Sequence, residues 1–102
     1  MDNNQSTPLR FGILSTANIA IAMVNQMHEC AMASPFAVAS RDLDKAKLFA
    51  QNHRIERSYG SYDELLQDAD VNAIYIPLPT SLKAQWAIRA ANAGKHVLCD
   101  KP

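Results

Sequence analysis

Residues 9–20 read LRFGILSTANIA, and this stretch decides the fold. Its first six residues form an apolar run without strict alternation, which is typical of a strand buried on both faces of a sheet. Ile19, Met23 and Met27 then recur every fourth residue, and this spacing predicts a helix over residues 18–29. A buried strand that bends through small residues into a helix indicates the first βα unit of a parallel sheet.

The alternation of strands and helices continues along the chain. Further strands are predicted over residues 36–40, 57–60, 73–76 and 96–99. The helices between them are predicted to start at caps, namely Asp42, Ser61 of the capping box Ser-Tyr-Asp-Glu, and Thr80 or Ser81, and Gly94 is predicted to end the last one. The order β-α-β-α-β-α-β-α-β predicts a Rossmann-like, doubly wound α/β fold with a parallel sheet and right-handed crossovers.

Composition narrows the classes of function. Ten basic and ten acidic side chains give a formal net charge of +0, so the charge excess typical of a nucleic-acid-binding protein is absent. No apolar run approaches the roughly 20 residues that cross a bilayer, and MDNNQSTP lacks the features of a secretory signal. Cys30 and Cys99 have neither metal-type nor redox-type spacing. We therefore expect a cytoplasmic protein without nucleic-acid or membrane partners and without a metal site, with residues 1–8 as a disordered lead-in.

The bend after the first strand is a candidate phosphate site. Dinucleotide-binding folds place G-x-G-x-x-G/A here, so that backbone amides at the helix N-terminus can approach a pyrophosphate. This chain has Ser15, Ala17 and Ala20 at the three positions, which is a weak match to the glycine pattern but still leaves room for a phosphate. The segment alone is equally compatible with an ordinary turn of small residues. The candidate ligand-binding residues are Ser15, Thr16, Ala17, Asn18 and Ile19.

The end of the second strand indicates which cofactor is preferred. An acidic residue at this point favours NAD(H), whereas an arginine accommodates the 2′-phosphate of NADP(H). The chain has Ser40 and Arg41 here, with Lys45 one turn into the next helix, and the guanidinium offers a fork of donors to a phosphate. These residues favour NADP(H) over NAD(H). The alternative is that Arg41 is a solvated side chain near Asp42 and Asp44.

Three stretches together resemble one family: GILSTANIA at residues 12–20, ASRDLDKAKLFA at 39–50, and YIPLPTSLKAQWAIRAANAGKHVLCDKP at 75–102. Their order and spacing resemble the N-terminal domain of the Gfo/Idh/MocA oxidoreductases. Within that family, the chain is most similar to the branch of dimeric dihydrodiol dehydrogenase and NADP-dependent D-xylose dehydrogenase. The resemblance covers residues 9–102, which it identifies as an NAD(P)-binding Rossmann domain.

The resemblance also implies roles for residues near both ends of the last helix. Pro77, Leu78 and Thr80 are expected to shape the wall beside the cofactor. Lys101, in the family's E-K-P motif, is expected to be catalytic, because its ammonium can stabilise alkoxide character while hydride moves between a sugar or diol carbon and the nicotinamide. Lys101 and Asp100, which replaces the glutamate of that motif, are also expected to bind the cofactor. Asp100 is one methylene shorter than glutamate, so its contact near the nicotinamide ribose is expected to differ, as is the contact of Lys83, which stands where the family often has histidine.

The resemblance further implies segments beyond residue 102. Family members continue with an α+β domain that supplies the substrate pocket and usually a homo-oligomer interface, so we expect a truncated domain that is inactive as a dehydrogenase on its own. A non-enzymatic dinucleotide-binding or interaction module is the alternative function. A receiver-like signalling domain would need acidic residues where Ser15 and Thr16 stand, and a flavin would leave Arg41 without a phosphate.

Overall fold

The computed structural model describes residues 8–99, so the expectations for the lead-in, Asp100 and Lys101 lie outside the described residues, except at Pro8. Five strands alternate with four helices, as the sequence predicts. The elements are β1 (Leu9–Leu14), α1 (Asn18–His28), β2 (Ala33–Ala39), α2 (Leu43–Asn52), β3 (Arg57–Tyr59), α3 (Tyr62–Leu66), β4 (Ala73–Ile76), α4 (Thr80–Asn92) and β5 (His96–Cys99).

All five strands are parallel, and they lie in the order β3-β2-β1-β4-β5. The chain first builds outward from β1 to β3 and then crosses back to place β4 on the other side of β1. The strand order therefore reverses between β1 and β4, and this is the position where open α/β sheets bind ligands, beyond the carboxyl ends of the strands. The Rossmann-like fold class is confirmed.

Two apolar cores cover the two faces of the sheet. One packs α1 and α2 on β1, β2 and β4 through Phe11, Ile13, Val38, Ala73 and Tyr75. The other packs α3 and α4 through the alternating strand positions Leu14, Ala37, Ala39, Ile74 and Ile76. Because successive side chains of a strand point to opposite faces, each central strand contributes to both cores. This explains why the central strands read as continuous apolar runs.

Gly12 lies in the middle of β1 and allows α3 to approach the sheet closely. A Cβ atom built at this position would lie 2.3 Å from Cδ2 of Leu65 and 3.2 Å from Cδ1 of Ile74. Leu65 is fully buried and belongs to the core under α3 and α4. The close packing of α3 on β1 therefore explains the glycine at position 12, and the bend after β1 does not.

The structure confirms the predicted caps of α2 and α3 but not that of α4. The Asp42 carboxylate accepts hydrogen bonds from the amides of Asp44 and Lys45 at 3.0 and 3.4 Å, and the Ser61 hydroxyl accepts from the amide of Glu64 at 3.1 Å.

The prediction of a Thr80 or Ser81 cap was wrong. The helix already includes Thr80, and the cap position is Pro79, whose φ of −56° and ψ of 152° hold the chain extended just before the first turn. Gly94 has a φ of 81°, in the left-handed region that its predicted place after the helix requires.

Strand β2 starts at Ala33, three residues earlier than predicted. The sequence predicts this strand over residues 36–40, after Pro35, and a proline has no amide to donate to a ladder. In the structure Pro35 pairs with Phe11, next to a register shift between Phe11 and Gly12. An irregularity in the ladder tolerates the missing amide, so the strand continues through the proline.

Candidate functional site

A cleft of about 460 Å³ opens beyond the carboxyl ends of the strands, on the side of the sheet that α3 and α4 cover. Its walls come from the ends of β1, β2 and β4 and from the first turns of α3 and α4. The cleft thus lies beside the reversal between β1 and β4, and its volume is in the range of small-molecule sites. The lining residues are Ser15, Arg41, Ser61, Tyr62, Asp63, Leu78, Pro79, Leu82 and Trp86.

The bend from β1 into α1 presents open backbone amides. Ser15 is buried, and its hydroxyl oxygen accepts a hydrogen bond from the amide of Ala17 at 2.9 Å, so the hydroxyl proton stays available for another acceptor. The first two amides of α1, those of Asn18 and Ile19, have no carbonyl or side-chain partner within the described range. Ala17, Asn18 and Ile19 are exposed, so their side chains do not fill the bend.

The four helices differ in how their N-termini are satisfied. Asp42 and Ser61 cap α2 and α3, whereas the cap positions of α1 and α4, Ala17 and Pro79, provide no side-chain hydrogen bond. The two uncapped helices follow β1 and β4, the strands at the reversal of the sheet. Helix N-termini without a side-chain cap carry partial positive charge on their open amides and favour bound anions.

Arg41 lines the same cleft as Ser15 of this bend. Its neighbours are occupied elsewhere: the Ser40 hydroxyl accepts from the amide of Asp42 at 3.1 Å, and the Asp42 carboxylate caps α2. Over residues 8–99, no carboxylate forms an ion pair with Arg41, which is exposed. The guanidinium therefore faces the cleft with its donors free, and a neighbouring aspartate does not neutralise it.

An aromatic pair forms the wall of the cleft opposite the sheet. The rings of Tyr62 and Trp86 meet edge to face, with centroids 5.1 Å apart at an interplanar angle of 85°. The Arg89 guanidinium lies 4.8 Å from the centre of the Trp86 ring and forms an ion pair with Asp63 at 3.3 Å. Burial raises the pKa of the Tyr62 phenol above its usual range, while the charge of Arg41 acts to lower it.

From the sequence alone, Trp86 is predicted to be a helix anchor against the sheet and Tyr62 a packing residue. Trp86 does pack on the core under α4, but it also lines the cleft. The available signal was the pair Leu82 and Trp86, four residues apart in the first turns of α4. A helix that follows a parallel strand begins at the carboxyl edge, so its first turns lie next to a site at that edge.

The expected cofactor-binding residues do not all face one cavity. Ser15, Arg41 and Leu78 line the cleft, whereas Thr16 and Lys45 line a separate depression of about 210 Å³ between α2 and the bend after β1. The remaining expected positions lie at the carboxyl edge, with Pro77 buried after β4, Thr80 exposed in the first turn of α4, and Ser40 buried after β2. Asp100 and Lys101 lie outside the described residues.

Residues 8–99 contain neither a metal-binding cluster nor a membrane-spanning helix. No group of three or more His, Cys, Asp or Glu side chains in this range is arranged to hold a metal ion. None of the helices in the same range combines the length and the apolar character needed to span a membrane.

Comparison with known proteins gives a family match over nearly the whole chain. Residues 9–102 match the Gfo/Idh/MocA model, which describes an oxidoreductase family with an NAD-binding Rossmann fold. An uncharacterized oxidoreductase from Rhizobium meliloti is 54% identical over 92% of this chain, but the match covers only 28% of that protein. D-xylose 1-dehydrogenase (NADP(+)) 2 of Haloferax volcanii is 44% identical over 92% of this chain and 29% of its own length.

A solved structure shares the fold. The 3-ketoreductase KijD10 from Actinomadura kijaniata, in complex with NADP and TDP-benzene, superposes with a TM-score of 0.87 at 40% identity. The match covers 94% of this chain and 30% of that protein. The chain thus spans less than a third of the length of these relatives.

Proposed function

Because the chain belongs to the Gfo/Idh/MocA oxidoreductase family and forms its NAD(P)-binding Rossmann domain, we propose that it binds NADP(H) in preference to NAD(H). The oxidoreductase that contains this domain transfers hydride between the nicotinamide and a hydroxyl-bearing carbon of a sugar or diol. The observation that carries the proposal is the position of Arg41, which shares one cleft with Ser15 and has no carboxylate partner over residues 8–99.

The residues around the cleft suit a phosphorylated dinucleotide. The open amides of Asn18 and Ile19 and the free hydroxyl proton of Ser15 are donors for the diphosphate. Arg41, at the end of β2, offers a planar fork of donors to a 2′-phosphate. An acidic residue, which would hold the 2′-hydroxyl of NAD(H) and repel a phosphate, is absent from that position, since Ser40 and Arg41 occupy it.

Two relatives support the preference for the phosphorylated cofactor. The Haloferax volcanii relative is named as an NADP(+)-dependent D-xylose dehydrogenase, and the Actinomadura kijaniata ketoreductase was solved with NADP. The first name describes a dehydrogenase that acts on a sugar, and the second describes a reductase that acts on a ketone. The sugar or diol class of substrate is proposed on this basis and on the resemblance of the sequence.

The bound cofactor supplies the hydride acceptor or donor. Lys101 is proposed as the catalytic residue, because its ammonium would stabilise negative charge on the substrate oxygen and take part in the proton transfer. In sequence, Lys101 is two residues beyond Cys99, the last residue of β5. The substrate pocket is proposed to lie in a further domain, as is a homo-oligomer interface, so the 102-residue chain alone is expected to lack turnover. We place the activity in the cytoplasm.

The test compares two coenzymes on one variant. Arg41→Asp is expected to raise the Kd for NADPH about 100-fold and to change the Kd for NADH less than threefold, because the charge reversal acts on the 2′-phosphate alone. Kd values are measured by isothermal titration calorimetry at fixed ionic strength. Lys47→Asp makes the same charge change at an exposed position of α2 outside the cleft and is expected to leave both values nearly unchanged. Equal losses for the two coenzymes in Arg41→Asp would remove the basis for the preference.

A further inference from the structure

The hydroxyl of Tyr62 is a polar group of the cleft that the proposed cofactor contacts do not use. Tyr62 is half-buried, and its phenol oxygen makes no hydrogen bond to any group among residues 8–99. Tyr62 and Arg41 both line the cleft, and the positive charge of Arg41 acts to lower the pKa of the phenol. A half-buried hydroxyl and a guanidinium that line one cleft, neither of them paired within the described part of the chain, are suited to a shared anionic ligand.

The ring of Tyr62 is held in place by its neighbours. It meets the ring of Trp86 edge to face, and Trp86 is in turn covered by Arg89, which is paired with Asp63. Because these contacts connect α3 to α4, the phenol is positioned by packing and does not need a ligand to order it. The contrasting residue is Tyr59, whose hydroxyl donates to Asp68 at 2.5 Å and is therefore already occupied.

We propose that the Tyr62 hydroxyl is a second hydrogen-bond donor to the 2′-phosphate of the cofactor, beside the Arg41 guanidinium, and thus a determinant of cofactor specificity. This inference rests on the proposed preference for NADP(H). A tyrosine phenol, with an ordinary pKa of about 10, keeps its proton at neutral pH, and burial raises the pKa of Tyr62 further, so the hydroxyl can donate to a phosphate. An O–H bond to a charged oxygen is short and strong, so its loss should be measurable.

The experiment uses two small probes that differ in one group, adenosine 2′,5′-bisphosphate and adenosine 5′-monophosphate. Tyr62→Phe keeps the ring and its contact with Trp86 and removes only the hydroxyl. It is expected to raise the Kd of the bisphosphate about tenfold and that of the monophosphate less than twofold. Tyr59→Phe is the matched control and is expected to leave the ratio of the two Kd values unchanged.

Arg41→Ala, measured with the same probes, separates this inference from the proposed function. If Arg41→Ala abolishes the preference for the bisphosphate and Tyr62→Phe leaves it intact, the role of Tyr62 is refuted while the cofactor preference stands. An equal effect of Tyr62→Phe on both probes also refutes it. If the unaltered protein does not distinguish the two probes, the cofactor preference and the role of Tyr62 are both overturned.

Discussion

The two edges of the sheet are built in opposite ways. At the carboxyl edge, two helix N-termini are uncapped and Arg41 has no carboxylate partner over residues 8–99, so hydrogen-bonding groups face an open cleft. At the amino edge, residues 67–72, between α3 and β4, accept hydrogen bonds from three side chains outside the loop and from one backbone amide; the donors are Arg57, Tyr59, Lys95 and the amide of Arg10. The contrast indicates which edge serves stability and which leaves groups free for a ligand.

The carboxylate of Asp68 is the shared hydrogen-bond acceptor at the amino edge. Its side chain is only 5% exposed, and it accepts hydrogen bonds from Nη1 of Arg57 at 2.8 Å and from the hydroxyl of Tyr59 at 2.5 Å. Arg57 also pairs with Asp70 at 2.9 Å and lies 4.7 Å from the centre of the Phe36 ring. Burial of Asp68 opposes its ionisation, but the bonds from Tyr59 and Arg57 prevail and hold the pKa of this carboxyl below its usual range.

Backbone groups of residues 67–72 also form hydrogen bonds with residues outside this loop. The Lys95 ammonium donates to the carbonyls of Asp68 and Val71 at 2.7 and 2.6 Å, which fixes the loop to the residue before β5. The amide of Arg10 donates to the side chain of Asn72 at 2.7 Å, and the amide of Asn72 donates back to the carbonyl of Arg10 at 3.0 Å. Polar groups at this edge are thus paired with one another and are not available to a ligand.

The largest effect is expected from removing the centre of the amino edge. Asp68→Ala should lower the free energy of unfolding by about 3 kcal/mol, because it leaves the partly covered Arg57 and the Tyr59 hydroxyl without their shared acceptor. Urea denaturation can be followed through the fluorescence of Trp86, the single tryptophan. The ratio of the Kd values for NADPH and NADH should stay the same, since Asp68 is remote from the cleft.

Asp63→Ala is the matched control for that loss of stability. The ion pair between Asp63 and Arg89 has both side chains largely exposed, at 61% and 49%, so its removal should cost less than about 1 kcal/mol. Similar losses for Asp63→Ala and Asp68→Ala would contradict the division of the molecule into a stabilising edge and an open one.

Acid should weaken the amino edge selectively. Because the pKa of Asp68 is lower in the folded protein than in the unfolded chain, its ionisation stabilises the fold above the ordinary aspartate pKa of about 3.9. That contribution is lost as the pH falls through the lower, folded-state value. The stability difference between the unaltered protein and Asp68→Asn should therefore shrink below about pH 4, as measured by urea denaturation across a pH series. A difference that stays constant to pH 2 would mean that the carboxylate charge is not what stabilises the loop.

Periodicity and turn chemistry were sufficient to predict the fold, because they are local. The apolar run of β1, the cap at Asp42 and the glycine at position 94 each depend on residues within one turn or strand, and all three are confirmed. The start of β2 and the cap of α4 were predicted wrongly, since a ladder irregularity opposite Pro35 and the backbone of Pro79 decided them.

The candidate site was less accessible to sequence reasoning, because its walls come from distant segments. The sequence identified Ser15 and Arg41 through the order of the strands, and the structure brings both to one cleft. It missed Tyr62 and Trp86 as lining residues, since their place in the wall depends on how α3 and α4 pack together. The sequence grouped Lys45 with Arg41 as a cofactor-binding residue, because the two are close in the chain. In the structure, α2 places Lys45 in the depression on the other face of the sheet.

The smallest expected change in stability comes from a substitution that caps the open N-terminus of α1. Ala17 has the extended φ and ψ of a cap residue, −71° and 157°, but it has no side chain that could accept from the amides of α1. Ala17→Asp should therefore raise the free energy of unfolding by about 0.5–1 kcal/mol, in the absence of cofactor. The new carboxylate would also occupy the amides that we assign to the diphosphate and repel it, so the Kd for NADPH should rise about tenfold.

Ala17→Asn separates the two causes of that loss. The amide side chain can cap the helix but carries no charge, so it should stabilise the protein similarly and weaken NADPH binding by a smaller factor. Thermal unfolding without cofactor and calorimetric titration with NADPH measure the two quantities on the same samples. A variant that is stabilised but binds NADPH as tightly as before would show that the free amides of α1 do not hold the cofactor. The lack of a cap at Ala17 would then be a feature of the helix alone and not of the site.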